Sequence, residues 1–133
     1  EAGAHALFMP HGLGHMMGLD VHDMESLGEN YVGYSDEIKR SDQFGLAYLR
    51  FALPFKPGHV LTIEPGCYFI PQLIERWKSE GKHTDFINYS KLESWKDFGG
   101  IRIEDNILIT EKGNRILGKP VPKNVKDIEA LCS

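Results

Sequence analysis

Three histidines and two glutamates lie in or beside apolar stretches of this chain. His11, His15 and His22 fall within twelve residues, while Glu64 ends the run VLTIE and Glu104 lies in GIRIED. A carboxylate in a core strand is costly to bury unless it is paired or binds a metal. Neutral imidazoles and carboxylates together are metal ligands. The set His15, Glu64 and Glu104 favours a hard divalent ion such as Mn, Fe(II) or Co, with Zn possible.

Each of these residues also has an ordinary structural explanation. A buried core histidine is the alternative for His11 or His15, and a turn cap is the alternative for Glu64. Glu104 would then end a hairpin, with Arg102 as a surface partner of little energetic value. The metal site is favoured because these imidazoles and acids all stand at apolar-flanked positions beside Gly or Pro.

Alternating apolar residues predict the strands that must position these side chains. Because side chains alternate along a strand, His11 and His15 would share one face of the first strand. Gly12 and Gly14 within it predict close backbone approach or a bulge. Pro65 and the glycine after it would end the second strand. The predicted strands are 6–15, 59–64, 101–110 and one through 116–117.

Helical periodicity predicts three further elements. Residues 70–77 carry an apolar stripe with helical spacing, and the predicted helix runs from Pro71 until Gly81 stops it. Ser90-x-x-Glu93 is a capping box that opens a second helix. A small amphipathic helix spans 125–131. Residues 24–58 are polar and predict a long surface excursion. Strands with a few helices predict an antiparallel α+β domain.

Composition excludes several classes of protein. With 133 residues, 41% hydrophobic, the chain forms one domain, and 19 acids against 15 bases leave no basic block for nucleic acid or an anionic membrane. No apolar run reaches the ~18 residues of a membrane span. Cys67 and Cys132 are predicted to be free thiols in a reducing compartment. The start at Glu1, without methionine, predicts an upstream portion.

Three motifs in a fixed order resemble the pita-bread metallopeptidases. They are PHGLGH with LDVHD, then LTIEPG, then GIRIEDN. That family includes the Xaa-Pro dipeptidases (prolidases), the Xaa-Pro aminopeptidases and, more distantly, the methionine aminopeptidases. The resemblance implies that residues 1–133 are the C-terminal part of a pita-bread catalytic domain whose upstream half is absent. The implied fold is an antiparallel sheet with flanking helices.

The resemblance also implies a set of metal ligands. His15 falls on the family's histidine ligand, and Glu64 falls on the glutamate that shares that metal and is a candidate general base. Glu104 falls on the glutamate that bridges both ions. The implied cofactor is two divalent ions, most simply Mn, with Co, Fe or Zn as alternatives. The family's two aspartate ligands lie upstream, and the aspartates of this chain do not match their motif.

Substrate contacts are implied for four residues. His11 and His22 match pocket histidines that stabilise the tetrahedral intermediate or the leaving group, and Arg102 matches an arginine that braces the metal centre. Arg50 lies where prolidases carry an arginine that binds the free carboxylate of the C-terminal proline. A bidentate guanidinium–carboxylate contact is a physical basis for selecting dipeptides. The alternative for Arg50 is a surface charge in a loop.

The resulting hypothesis is metal-dependent hydrolysis of Xaa-Pro dipeptides, with this chain supplying part of a dinuclear centre and inactive alone. The helical segment inserted at 71–97 is similar to that of prolidases, whereas the corresponding segment of aminopeptidase P is shorter. An aminopeptidase P acting on longer Xaa-Pro peptides is the nearest alternative, and a non-catalytic peptide- or protein-binding module is another. We also expect the complete protein to be a homodimer that acts on a small peptide substrate and is located in the cytoplasm.

Overall fold

Antiparallel strands form two small sheets in the computed structural model, which describes residues 2–133. The strands are β1 (Val60–Ile63), β2 (Gly66–Tyr68), β3 (Gly100–Arg102), β4 (Asp105–Thr110) and β5 (Gly113–Ile116). The first sheet has the order β1–β4–β5, and the second pairs β2 with β3. The strand predicted at 59–64 is therefore confirmed as β1, and the strand predicted through 116–117 corresponds to β5, which lies slightly earlier.

The two sheets share one continuous register. In the first sheet the last residue of β1, Ile63, is opposite Asp105 at the start of β4. In the second sheet Gly66 is opposite Arg102. The offset between the two chain segments is the same on both sides of the gap. The four strands are therefore two long antiparallel segments, interrupted at one place.

That interruption holds both acidic residues of the predicted metal site. Extending the register across the gap puts Glu64 opposite Glu104 and Pro65 opposite Ile103. Proline has no N–H and cannot complete a ladder pair, although the N–H of Ile103 still donates to the carbonyl of Pro65 at 3.1 Å. The single strand predicted at 101–110 was therefore wrong, because it is broken at Ile103 and Glu104.

The strand predicted at 6–15 is wrong, because no residue of that range belongs to a strand. A 3-10 helix occupies Ala4–Leu7 instead. From Leu13 the chain runs beside β1, with backbone hydrogen bonds from Thr62 N–H to the His15 carbonyl (3.0 Å) and from Glu64 N–H to the Leu13 carbonyl (2.8 Å). An isolated β-bridge pairs Met16 with Leu61. This irregular segment puts the second half of the histidine segment on the open edge of β1.

Four α-helices accompany the strands. They are α1 (Glu29–Gly33), α2 (Pro71–Ser79), α3 (Tyr89–Leu92) and α4 (Val125–Cys132). Pro71 opens α2 as predicted, and the predicted stripe is buried at Ile74 (0% exposed) and Trp77 (3% exposed), whereas Ile70 at its start is exposed. The N-cap of α3 is Asn88, whose side chain accepts the Lys91 N–H. The capping box predicted at Ser90 was therefore wrong.

The hydrophobic core joins the N-terminal 3-10 helix to α2 and α3. Its buried members are Ala6, Leu7, Ile74, Trp77, Ile87, Tyr89 and Leu92. The core therefore anchors the chain just before the histidine segment begins. In the rest of the described chain, the excursion predicted at 24–58 holds the short helix α1, and both cysteines are free and exposed. Between residues 2 and 133, every helix is too short or too polar to span a bilayer.

Truncation of the core side chain on α2 should destabilise the fold. Ile74→Ala removes a fully buried side chain and should lower the free energy of unfolding by about 2–5 kcal/mol. The matched control is Gln72→Ala on the exposed face of the same helix, which should change it by less than about 0.5 kcal/mol. Urea unfolding followed by circular dichroism measures both. Equal effects would place the core elsewhere.

Candidate metal centre

Two glycines of the histidine segment allow close backbone approach, Gly14 to β1 and Gly12 to the loop around Leu49. A Cβ on Gly14 would lie 1.9 Å from the carbonyl oxygen of Thr62, and one on Gly12 would lie 2.7 Å from the Cα of Leu49. Real side chains do not tolerate such distances. The predicted close backbone approach at both glycines is confirmed, and it brings the backbone of His15 against β1.

Thr62 connects two of the predicted ligands. Its side chain is buried, and its hydroxyl accepts the backbone N–H of His15 at 3.0 Å while donating to Glu64 Oε1 at 3.1 Å. The N–H of His15 has a side-chain acceptor at this irregular edge, where the backbone ladder supplies none. A single hydroxyl thus fixes the backbone of one ligand and the carboxylate of the other.

The His15 imidazole is arranged as a ligand. Nδ1 lies 3.0 Å from the Met16 carbonyl, which can only accept, so Nδ1 carries a proton and, in the neutral ring, Nε2 is the nitrogen that can bind a metal. A carbonyl on the second ring nitrogen is the usual support for a metal-binding histidine. Nε2 lies 3.3 Å from Glu64 Oε1, and the residue is 4% exposed. Two acceptor atoms thus face each other in a buried place, where a cation would satisfy both.

Glu104 completes a three-residue cluster. His15, Glu64 and Glu104 each offer one ligand atom, and these atoms lie within 4.8 Å of one another. The side chain of Glu64 is 13% exposed and that of Glu104 is 39% exposed. One nitrogen and two carboxylates suit a hard or borderline divalent ion. The residues present therefore fit a metal.

Arg102 braces both carboxylates of the cluster. Nη1 lies 3.5 Å from Glu64 Oε2, and Nε lies 3.4 Å from Glu104 Oε2. The guanidinium is about half exposed, so these pairs contribute little to stability. Their effect is to orient two like charges that stand at facing positions of the two chain segments.

A cleft of about 260 Å³ opens beside the cluster. Six of the seven predicted site residues line it: His11, His15, His22, Arg50, Glu64 and Arg102. The remaining one, Glu104, belongs to the cluster with His15 and Glu64. The structure thus brings the predicted residues together, including the two imidazoles expected to face one cavity.

His11 is held on both sides of its ring. Nδ1 lies 2.7 Å from the Gly12 carbonyl, and Nε2 lies 3.1 Å from the hydroxyl of Tyr68. Because the carbonyl can only accept, Nδ1 carries the proton and Nε2 accepts from Tyr68. The rings also pack edge to face with centroids 5.4 Å apart. Tyr68 was not foreseen from the sequence.

His22 and Arg50 are linked by a carboxylate that the sequence did not single out. Glu25 accepts from His22 Nδ1 and from Arg50 Nη2, both at 2.8 Å. These hydrogen bonds, His22 first, hold the pKa of Glu25 below its usual range. Arg50 also donates to Glu29. The rings of His22 and His15 pack edge to face with centroids 4.3 Å apart, so this linked group touches the cluster.

Comparison with known proteins decides the family. The sequence profile of metallopeptidase family M24 matches residues 1–111. The chain belongs to metallopeptidase family M24. Members of this family use divalent metals, which agrees with the ligand chemistry of His15, Glu64 and Glu104. The resemblance drawn from the three motifs is therefore confirmed.

Two named relatives of this M24 chain are mammalian. It is 43% identical over 128 residues to the Xaa-Pro dipeptidase of Rattus norvegicus, covering 96% of this chain and 24% of the relative. It is 42% identical over 133 residues to the Xaa-Pro dipeptidase of Homo sapiens, covering 100% of this chain and 25% of the relative. The chain spans about a quarter of the length of these relatives.

Solved structures confirm the fold class. Aminopeptidase P from Escherichia coli with the inhibitor Pro-Leu is 36% identical and matches with a TM-score of 0.56, covering 97% of this chain and 21% of that chain. The α+β arrangement of antiparallel sheets with helices is thus part of the pita-bread fold. The predicted fold class is confirmed.

Removal of the Thr62 hydroxyl should weaken the packing of the histidine segment against β1. Thr62→Val keeps the shape of the side chain but leaves the buried N–H of His15 without its acceptor. The free energy of unfolding should fall by about 1–3 kcal/mol. Thr110→Val, on β4, is the matched control and should change it by less than about 0.5 kcal/mol. Urea denaturation measures both, and equal losses would contradict the role given to the hydroxyl.

Proposed function

We propose that this chain supplies part of the dinuclear divalent-metal centre of a Xaa-Pro dipeptidase. The observation that carries the proposal is the cluster of His15, Glu64 and Glu104, whose ligand atoms lie within 4.8 Å of one another. Its position beside a cleft that holds two further histidines and two arginines supports a catalytic use. The 42–43% identity to curated Xaa-Pro dipeptidases supports the substrate class.

The chain is proposed to be the C-terminal part of the catalytic domain. Two ions need more anionic ligands than one histidine and two glutamates provide, so the remaining ligands come from a segment outside this chain. The match to only about a quarter of each named relative supports this division. Activity is therefore expected of the full-length protein and not of these residues alone.

Each residue of the cluster has a distinct role in the proposed reaction. When bound, the divalent ions, Mn in the first instance, lower the pKa of a water molecule and polarise the peptide carbonyl. His15 presents Nε2 as a ligand, because Nδ1 is committed to the Met16 carbonyl. Glu64 would hold a metal ion and act as the general base, and Glu104, opposite it, would hold both ions. Arg102 keeps both carboxylates oriented.

Substrate recognition is assigned to the cleft. His11 and His22 stabilise the charge that develops during cleavage of the bond to proline. Arg50 has five N–H donors, and Glu25 and Glu29 each accept one of them. Three donors therefore remain for the carboxylate of a C-terminal proline. The ion pair between Arg50 and the carboxylate of the substrate is the proposed reason for accepting dipeptides.

An aminopeptidase P is the second candidate, and a specific observation favours it. The solved structures that match are of aminopeptidase P, at 36% identity for the Escherichia coli protein. The identity to Xaa-Pro dipeptidases is higher, at 42–43%. Both candidates share the metal chemistry and differ in whether the residue after proline is absent or present.

Proline release from Gly-Pro, compared with cleavage of a matched Gly-Pro-Yaa tripeptide, tests the function. The full-length protein should cleave the dipeptide only when Mn²⁺ is supplied, since the ligand set is built for a divalent ion. Arg50→Ala should raise KM for the dipeptide at least about tenfold, because a charge-assisted contact of this kind is worth roughly 1.5–3 kcal/mol, and should change the tripeptide less. The exposed Arg115→Ala is the control. Preferred tripeptide cleavage would indicate aminopeptidase P, and cleavage of neither would indicate a binding module.

Metal content tests the assignment of the bridge. Glu104→Ala in the full-length protein should abolish binding of both ions, because the proposed bridge contacts each of them. Inductively coupled plasma mass spectrometry after dialysis measures ions per chain. Glu111→Ala, an exposed acid in the turn after β4, is the control and should retain the full content. Unchanged metal content in Glu104→Ala would refute the bridging role.

A further inference from the structure

Glu25 lies between two residues of the cleft that are far apart in the sequence. One carboxylate oxygen accepts from His22 Nδ1 and the other from Arg50 Nη2, each at 2.8 Å. An ionised carboxylate can only accept, so Nδ1 of His22 must carry a proton. A single side chain therefore fixes both the tautomer of the histidine and the position of the guanidinium.

The backbone around Glu25 is bent in an unusual way to make these contacts. Met24 and Ser26 both have positive φ, at 57° and 62°. Residues with side chains seldom adopt this conformation, and it persists where the surrounding structure holds it. The N–H of Glu25 donates to the His22 carbonyl at 3.2 Å. The strained turn thus folds Glu25 back toward the histidine that precedes it.

Arg50 is held from its other side by a second acid that is itself fixed. Glu29 accepts from Arg50 and also from Arg40 Nη2 at 2.8 Å. Arg40 donates in addition to the carbonyls of Ala47 and Leu49, at 3.0 and 3.2 Å. Glu29 therefore connects Arg50 to the loop framework, whereas Glu25 connects it to His22. The two acids make different contacts with the same guanidinium.

We propose that Glu25 is a positioning residue that orients His22 and Arg50 together. It would couple the histidine beside the reacting bond to the arginine that reads the substrate carboxylate. The inference deepens the proposed function, because it rests on the cleft roles given there to His22 and Arg50. Glu25 is half exposed, with a side-chain exposure of 48%, so its effect is on orientation and not on the stability of the fold.

Three isosteric substitutions separate the two contacts. Glu25→Gln removes the negative charge, leaves one acceptor oxygen and puts an NH₂ group against a donor. The contacts with His22 and Arg50 both lose their charge assistance, so kcat for Gly-Pro should fall and KM should rise. Each change should be about tenfold, the value of one charge-assisted hydrogen bond. Glu29→Gln should raise KM and leave kcat unchanged, since Glu29 does not contact His22. Glu37→Gln is an exposed control and should change neither. Equal kinetics for Glu25→Gln and Glu37→Gln would overturn the proposal.

A double-mutant cycle tests whether Glu25 acts through His22. In a His22→Ala background, Glu25→Gln should cause no further loss of kcat, because the partner is already gone. Its effect on KM should persist, since Arg50 remains. A full additional loss of kcat would show that Glu25 affects turnover by another route and would overturn the coupling.

The tautomer of His22 provides a test that needs no activity. In the full-length protein labelled with ¹⁵N-histidine and loaded with Zn²⁺, long-range ¹H–¹⁵N spectra should show His22 protonated at Nδ1. Glu25→Ala should shift the population toward Nε2–H, and Glu29→Gln should not. An unchanged tautomer in Glu25→Ala would refute the positioning role. Absence of peptidase activity in the parent protein would instead refute the proposed function alone, so the two failures are distinguishable.

Discussion

Glu64 and Glu104 stand directly opposite each other on antiparallel segments, and their repulsion shapes the rest of the site. Like charges at facing positions destabilise strand pairing. The ladder is interrupted at this pair, Arg102 reaches both carboxylates, and His15 Nε2 lies 3.3 Å from Glu64 Oε1. Arg102 supplies one positive charge for two acids that face a buried imidazole. The donor set of such an arrangement suits a divalent ion.

Elements whose signals are local could be predicted from the sequence. The alternation before Glu64, ended by Pro65, and the buried stripe that contains Trp77 each depend on neighbouring residues only. The start of the histidine segment was misread because the apolar residues around Leu7 fill the core from a 3-10 helix. Four apolar residues in a row do not distinguish that burial from a strand. The break at Glu104 also depends on a distant proline.

The site itself divides in the same way. The ligand candidates were predicted because acids and imidazoles in apolar runs are unusual. The family motifs then gave each candidate its expected role. Arg102 was foreseen from the motifs, but Tyr68 and Glu25, which also hold the candidates, were missed. Tyr68 contacts His11 across 57 residues of sequence, and Glu25 contacts Arg50 across 25. No local pattern marks such a contact, because it exists only after the strands and the turn have brought distant segments together.

The unbroken register on both sides of the two acids also determines where the chain can change in length. One residue inserted between 60 and 64 would move Glu64 to the opposite face of the strand and remove it from Glu104. By contrast, β2 ends at Tyr68 and β3 begins at its partner Gly100, so the excursion between them begins and ends at a fixed place. Its exposed residues Thr84 and Asp85 are where insertions, deletions and engineered tags should be tolerated while the acids stay aligned.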